Sequence, residues 1–475
     1  MESQRSMDEV LKLQREHFLK EGPPSYELRI DRLNRVKDIV IQNKERITEA
    51  LNADFGARSQ SQSLISDVYA VLPPFTYAKK HLKSWMKDEK RKSNFPFGLM
   101  GAKSYIHREP LGSIGMISPW NFPIYLSLAP LAGIFSAGNQ VMHKPSEFTP
   151  ITSELLKEIC DSAFDETEFA TFLGGPDVGA AFTQLKFDHL LFTGSGNIGK
   201  HVMRAASENL VPVTLELGGK SPVIVSDSSN IDITARRVMF NKTLNAGQIC
   251  LAPDYVYVHE TQKDIFVEAC KDQVNNFYND LKYNPDYTSV INQKHYDRLN
   301  GLLSDAKDHG AELVEINPAD EDFTQQESHK IPPTLVLNPT DEMQIMKEEI
   351  FGPLLPIKTY KDIREPINYI NKNDKPLGLY YFGNNKNEEA KVLNSTSSGG
   401  VTVNDIMGHL QQNELGFGGV GPSGMGKYDG FDGFMNFSNN KPIYKQVGFR
   451  LEKAFNVLRP PYKDSFEKVI QKLLK

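Results

Sequence analysis

The sequence predicts an α/β protein built on parallel sheets, and three observations carry that prediction. From about Ser104 onward, short apolar runs alternate with helical stretches, the pattern of strands joined by crossover helices. A glycine fingerprint, Gly194-Ser-Gly196-Asn-Ile-Gly199, follows one such run and opens a helical one. In that setting glycines let the backbone approach a dinucleotide pyrophosphate at a helix N-terminus. The third is bulk: 475 residues, 39% hydrophobic and 24% charged, suit two packed domains and exclude a disordered or fibrous chain.

Taken in order, the first part of the chain reads as helix. Ile30, Leu33, Val36, Val40, Ile47 and Leu51 follow helical steps with charges between them, and Asn52-Ala-Asp-Phe-Gly56 ends the run. Residues 63–89 form a second helical stretch, kinked or broken at Pro73-Pro74 because proline removes an N–H and crowds the preceding turn. Residues 90–103 are basic, then carry Pro and Gly, and read as a loop or an excursion. Residues 112–118 are a short buried strand and Pro119-Trp-Asn-Phe-Pro123 is a turn. Helix, strand (139–143), helix (152–163), strand (187–193) and helix (199–209) follow. Leu217-Gly-Gly-Lys-Ser-Pro222 is a hinge into a second α/β unit. Its strands include 221–225, 255–258, 333–337 and 400–403, with helices such as 231–243 and 262–281. Residues 416–426 are glycine-rich, and 431–437 look strand-like.

Composition excludes several functions. Lys and Arg total 54 against 60 Asp and Glu, a net charge of −6, and no basic stripe suits nucleic acid. Cys160, Cys250 and Cys270 are too few for a disulfide framework and fit a reducing compartment. The N-terminus carries no apolar signal region. The least polar stretch, 124–138, contains Pro130 and is shorter than the ~20 residues of a membrane span. A cytoplasmic protein is expected, with no integral membrane segment. CxxC and HExxH spacings are absent, so no metal site is expected.

Two residues stand out as chemical. Cys250 lies in Asn245-Ala-Gly247-Gln248-Ile-Cys250, where small residues allow a substrate to reach the sulfur. Cys160 and Cys270 sit in helical patterns as apolar filler. Glu216 lies 22 residues after Gly194, where a dinucleotide fold places its ribose-binding acid. Its setting, Val213-Thr-Leu-Glu216-Leu-Gly-Gly219, instead suits a carboxylate of raised pKa acting as a base, or a glutamate paired or turned to solvent.

The motifs together resemble the aldehyde dehydrogenase superfamily along nearly the whole chain. They are Ser118-Pro-Trp-Asn121-Phe-Pro, His143-Lys144-Pro-Ser-Glu147, Phe192-Thr-Gly-Ser195-Gly-Asn-Ile-Gly199, Leu215-Glu216-Leu-Gly-Gly-Lys, Gly247-Gln-Ile-Cys250, Glu348-Glu349-Ile-Phe351-Gly-Pro and Gly416-Phe417-Gly-Gly, in the family's order. Pro212-Val-Thr-Leu-Glu216 and Cys250-Leu-Ala-Pro-Asp254 resemble the class-three and fatty-aldehyde branch. Glu21-Gly-Pro-Pro-Ser25-Tyr-Glu-Leu-Arg-Ile-Asp-Arg-Leu33 looks closest to bacterial coniferyl aldehyde dehydrogenases.

The resemblance implies a Rossmann-like NAD(P)-binding domain (1–216) with an oligomerisation excursion near 90–105. It implies an α/β catalytic domain (217–410), and a final segment (411–475) holding an active-site loop, an oligomerisation strand and a tail. It implies Cys250 as a thiolate nucleophile, Glu216 as the base that activates water, and Asn121 with the Cys250 N–H as oxyanion donors. Lys144 and Glu147 would meet the adenosine ribose and Ser195, between Gly194 and Gly199, the pyrophosphate. Glu349 and Phe351 would position the nicotinamide ribose and ring beside Trp120. Phe417 and Tyr125 would line the substrate tunnel. The Glu147 carboxylate favours NAD over NADP, and a homodimer is implied. Gly196 departs from the polar residue common at its position. A coniferyl-type aromatic aldehyde is the expected substrate; a fatty or aliphatic aldehyde, transfer of the acyl group to coenzyme A, and an inactive scaffold are the alternatives. Arg459-Pro-Pro-Tyr462 resembles a class-three tail motif. After it, Phe466, Val469, Ile470, Leu473 and Leu474 form an apolar stripe beside Lys468, Lys472 and Lys475, read as a short helix docked on protein, with a membrane-surface helix as the alternative.

Overall fold

The structure, a computed structural model, describes residues 5–95, 97–448, 459–462 and 464–474. Its strands are β1 (Glu89–Arg91), β2 (Lys103–Pro110), β3 (Ser113–Ile117), β4 (Gln140–Lys144), β5 (Phe169–Thr171), β6 (His189–Thr193), β7 (Val213–Glu216), β8 (Pro222–Val225), β9 (Tyr255–His259), β10 (Glu312–Glu315), β11 (Thr334–Leu337), β12 (Leu354–Tyr360), β13 (Gly378–Phe382), β14 (Gly400–Val403), β15 (Gly424–Met425) and β16 (Ser438–Lys445).

They form three sheets. The first has the order β15-β7-β6-β3-β4-β5, with β3 to β7 parallel. The chain enters at β3 in the middle, winds outward through β4 and β5, then returns to wind the other way through β6 and β7. That reversal opens a crevice at the C-terminal ends of β3 and β6, where doubly wound sheets bind ligands. The fingerprint follows β6, the fourth strand entered, rather than the first. The second sheet, β10-β11-β12-β9-β8-β13-β14, is parallel except for β10; the chain passes from β8 to β9, comes back inward from the edge through β10, β11 and β12, and then extends the other side of β8 with β13 and β14. Both sheets are covered by helices, so β4, β8 and β13 are buried along their whole length; β8 and β13 read as continuous apolar runs, whereas β4 buries Gln140, His143 and Lys144 as well. The third sheet is antiparallel, β1-β2-β16, with β2 and β16 paired from Pro110–Ser438 to Lys103–Lys445. The expected excursion at 90–105 thus carries a strand at each end. β15 pairs with β7, Gly424 opposite Glu216, so the late glycine-rich segment returns to the first sheet.

Several expectations are corrected. The helix Met7–Glu21 precedes the first predicted run, and its capping box, Ser6 with Glu9, was a readable signal. Pro73 and Pro74 do not break a helix. They occupy the first turn of Leu72–Trp85, where no N–H is needed, and the irregularity lies before them in a π turn (Leu64–Val68) and a 3₁₀ turn (Tyr69–Val71). Residues 431–437 are not a strand: Gly430–Asn436 is helix and the strand starts at Ser438. Phe431, Phe434 and Phe437 recur every three residues, a helical step; Phe434 and Phe437 are buried, and the rings of Phe431 and Phe434 stack 6.1 Å apart. The tail forms the helix Asp464–Leu473, with Phe466 and Ile470 half-buried, Val469 and Leu474 exposed, and the Tyr462 ring 4.7 Å from Phe466. Lys475 and the Leu473 side chain lie outside the described residues. Among the described residues no helix is long and apolar enough to cross a membrane.

Candidate active site

One cleft between the two large sheets, with a cavity of about 620 Å³, collects most of the predicted residues. Trp120, Asn121, Gly194, Ser195, Gly199 and Glu216 line it from the first sheet. Cys250, Glu349 and Phe351 line it from the second, and Phe417 from the returning segment. Its size suits a cofactor or small substrate.

Asn121 sits in the turn after β3. Its side-chain amide donates to the Gln248 carbonyl at 3.1 Å, two residues before Cys250, so the turn and the cysteine loop are joined directly. The cysteine loop leaves the helix Ile231–Thr243 through three successive left-handed residues, Asn245, Ala246 and Gly247, at φ of 51°, 50° and 70°. Such backbone is costly outside glycine and is found at functional sites. A side chain at Gly247 would overlap the backbone oxygen of Gly352. Gln248 pins the loop by donating to the carbonyls of Asn245 (2.9 Å) and Ser289 (3.0 Å) while accepting from the Ile291 N–H. Cys250 as a residue is only partly buried and lines the cleft; Cys160 and Cys270 are buried in helices.

Glu216 ends β7. It is buried, and neither of its carboxylate oxygens has a hydrogen-bond partner. Its backbone carbonyl accepts from the Gly194 N–H at 3.0 Å, which ties it to the fingerprint. Burial, with the nearby Asp429, raises its carboxyl well above the ordinary range. Burial also pushes Glu349 up to about 8 and the Cys250 thiol up to about 12, the latter reinforced by Glu349 and Glu216. Burial thus favours the neutral thiol of Cys250 over the thiolate in this arrangement, so a base that takes its proton would make the nucleophile.

The glycine loop fits a dinucleotide. Ser195 N-caps the helix Gly196–Ser207. A Cβ at Gly194 would stand 2.6 Å from the Phe192 ring, and one at Gly199 2.7 Å from Leu217, so a side chain at either position would require that neighbour to shift. Gly196 has nothing within 4 Å of a built Cβ, so the protein's own packing does not demand glycine there. Phe351, at φ 49°, meets the Trp120 ring edge-on at 5.4 Å.

Three predicted residues lie off the cavity wall. Lys144 ends β4 as a buried ammonium paired with Glu147 at 2.8 Å, and both stand beyond the cleft that holds Cys250. Tyr125 lies on the helix Pro123–Leu128, four residues past Asn121; Asp429 and Cys250 both act on its hydroxyl.

Other residues escaped the sequence reading. His295 and Arg298, on one face of the helix Gln293–Asp308, reach the cleft from the second sheet. The His295 ring lies 5.3 Å from Trp120, and Arg298 donates to the carbonyl of Glu349 at 3.3 Å. Lys220 bonds Asp254 and the Glu348 carbonyl (2.8 Å), while Asp254 accepts from the Ile350 N–H (2.9 Å). Glu349 is thus clamped on both sides. Helical spacing was the signal for His295 and Arg298; Lys220 and Asp254 fall inside the motifs Leu215-Glu216-Leu-Gly-Gly-Lys and Cys250-Leu-Ala-Pro-Asp254, but their contacts around Glu349 join residues far apart in sequence. Among the described residues no group of three His, Cys, Asp or Glu side chains is placed to hold a metal.

Comparison with known proteins matches residues 4–443 to the aldehyde dehydrogenase family. The chain is 52% identical to a probable coniferyl aldehyde dehydrogenase of Caulobacter vibrioides, covering 98% of this chain and 96% of that one. It is 49% identical to a coniferyl aldehyde dehydrogenase of a Pseudomonas species, over 96% and 94% of the two chains. Among solved structures, the substrate-bound state of Staphylococcus aureus AldH superposes with a TM-score of 0.91 at 37% identity, covering 99% of this chain and 100% of that one.

Proposed function

Because the chain belongs to the aldehyde dehydrogenase family, we propose roles for the residues of its cleft, a substrate class, a cofactor preference and an assembly. The protein is an NAD(P)-dependent enzyme that oxidises an aldehyde to its carboxylic acid. The observation that carries the reading of the cleft is the meeting of Cys250 with a buried, unpartnered Glu216 in one cavity.

Glu216, when ionised, takes the Cys250 proton as the sulfur bonds to the aldehyde carbon. The oxygen of the resulting thiohemiacetal accepts from the Asn121 amide and the Cys250 N–H. Donors placed where charge develops are worth about 10²–10³ in rate each. Trp120, Ser195, Glu349 and Phe351, with Lys144 and Glu147 beyond the cavity, hold NAD(P), which when bound accepts the hydride from the former carbonyl carbon. The thioester left on Cys250 is then hydrolysed. Glu216, having passed its first proton to solvent, takes one from water; the hydroxyl adds to the acyl carbon and the Cys250 sulfur leaves. Retention of this base favours hydrolysis over transfer to coenzyme A.

Phe417 lines the cavity and offers a flat wall to a conjugated ring, a contact contributing about 0.5–1.5 kcal/mol, or roughly two- to twelve-fold in selection. With the names of the relatives, this favours a coniferyl-type aldehyde. The Glu147 carboxylate repels a 2′-phosphate and favours NAD. We further propose a cytoplasmic homodimer. Measuring kcat/KM for coniferyl aldehyde, benzaldehyde, hexanal and decanal with both cofactors tests these points. Coniferyl aldehyde with NAD should lead. Decanal or hexanal ahead by about tenfold would assign the protein to aliphatic aldehydes, and a higher value with NADP would remove the role of Glu147.

A further inference from the structure

The segment before the Leu72–Trp85 helix contains a fully buried ion pair outside every role assigned above. Arg58 and Asp67 meet at 2.6 Å with neither side chain exposed. Removing two charges from water costs several kcal/mol per ion, and packed apolar residues would serve stability as well or better. The contacts of this pair lead to one place. Arg58 donates from Nη1 to the Asn121 carbonyl at 2.8 Å, and its guanidinium lies over the rings of Phe55 (4.6 Å) and Phe122 (5.1 Å). Asp67 Oδ1 accepts the N–H groups of Ile124 and Tyr125, both at 3.2 Å, and Oδ2 accepts from Ser66 at 3.0 Å. The pair therefore grips the chain on both sides of the Asn121 side chain: the carbonyl of Asn121 itself and the first free N–H groups of the helix that follows. Asn245, from the cysteine loop, adds a third hold on the Asn121 carbonyl at 3.1 Å.

The consequence falls on the amide of Asn121. A primary amide has two N–H donors. One is committed to the Gln248 carbonyl, an acceptor only, so that bond fixes which end of the amide is nitrogen. The second is left for the cleft. Its direction is set by the Asn121 backbone, and the Asn121 backbone is held by Arg58 and Asp67. Catalytic groups need positions good to a fraction of an ångström, which rigid supporting contacts supply.

We propose that the Arg58–Asp67 pair is the positioning unit of the oxyanion site, acting through Asn121. The inference rests on the oxyanion role proposed for Asn121 and is tested by a cycle that separates the two. Asp67→Asn keeps acceptors for the Ile124 and Tyr125 N–H groups but removes the charge that orients Arg58. It should lower kcat for aldehyde oxidation about 10- to 100-fold, a part of the roughly 10²–10³ that outright loss of one oxyanion donor costs. NADH affinity, read directly by quenching of Trp120 in a Trp85→Phe background, should stay within about twofold, since a transition-state contact is absent from cofactor binding. In Asn121→Ala the same Asp67→Asn change should cost less than about twofold, because the group it positions is gone. Equal losses in both backgrounds would mean a general packing role and overturn the inference. An Asn121→Ala enzyme with near-normal kcat would instead overturn the oxyanion reading. If Asp67→Asn does not fold, Ser66→Ala, which removes one bond to Asp67, should give a smaller loss with the same dependence on Asn121, and an additive loss there overturns the inference equally.

Discussion

At the scale of single residues, the chemistry turns on three acidic hydrogens held by burial. Glu216 is raised well above the ordinary carboxyl range, Glu349 to about 8 and Cys250 to about 12. A raised carboxyl is protonated below its pKa and accepts a proton only above it. The rate should therefore fall as pH falls, and kcat/KM for the aldehyde should keep climbing across the pH range above that of an ordinary carboxyl. Glu216→Gln should flatten the rise; a profile level across that range would contradict the assignment of the base. Glu216 was legible because a carboxylate at an apolar strand end is anomalous, and the family motifs resolved it from a ribose ligand. The Cys250 loop was legible through its small residues. The cost of burying the thiol was not, since it depends on Glu216 and Glu349, which arrive from other parts of the chain.

At the scale of elements, the left-handed turn 245–247 carries Cys250 to the cleft. Gly247, at φ 70°, rests against the Gly352 backbone, so Gly247→Ala would meet both an unfavourable conformation, about 1–3 kcal/mol, and an overlap with main-chain oxygen that no side-chain rotation relieves. It should lower the unfolding free energy, read by urea denaturation, by at least that much and depress turnover more than NADH binding. A variant with wild-type stability and kcat would show that the turn relaxes freely. The parallel strands were readable from apolar runs between turns, and the fingerprint helix from its glycines. The helix Gly430–Asn436 was misread because short apolar segments suit either period. The π and 3₁₀ turns over 64–71 carry no local signature, and the ion pair they house joins residues whose partners lie in another element.

At the scale of the molecule, two doubly wound sheets face each other, and the residues between them serve one reaction from both sides. Trp120, Asn121 and Glu216 come from the first sheet, Cys250, Glu349 and Phe351 from the second, and Phe417 from a segment that crosses back. This convergence explains why the motifs are scattered over more than two hundred residues yet keep their order: those of the first sheet follow β3, β4, β6 and β7, while those of Cys250 and of Glu349 with Phe351 lie in the segments that lead into β9 and β12. The most direct test of the account is to trap the acyl enzyme. Glu216→Gln mixed with NAD and coniferyl aldehyde should form at most one reduced nicotinamide per site in a rapid phase. Mass spectrometry of the quenched, digested protein should then place the coniferyl acyl group on the peptide containing Cys250 and on neither Cys160 nor Cys270. Rapid steady turnover by this variant with no adduct on Cys250 would contradict the account.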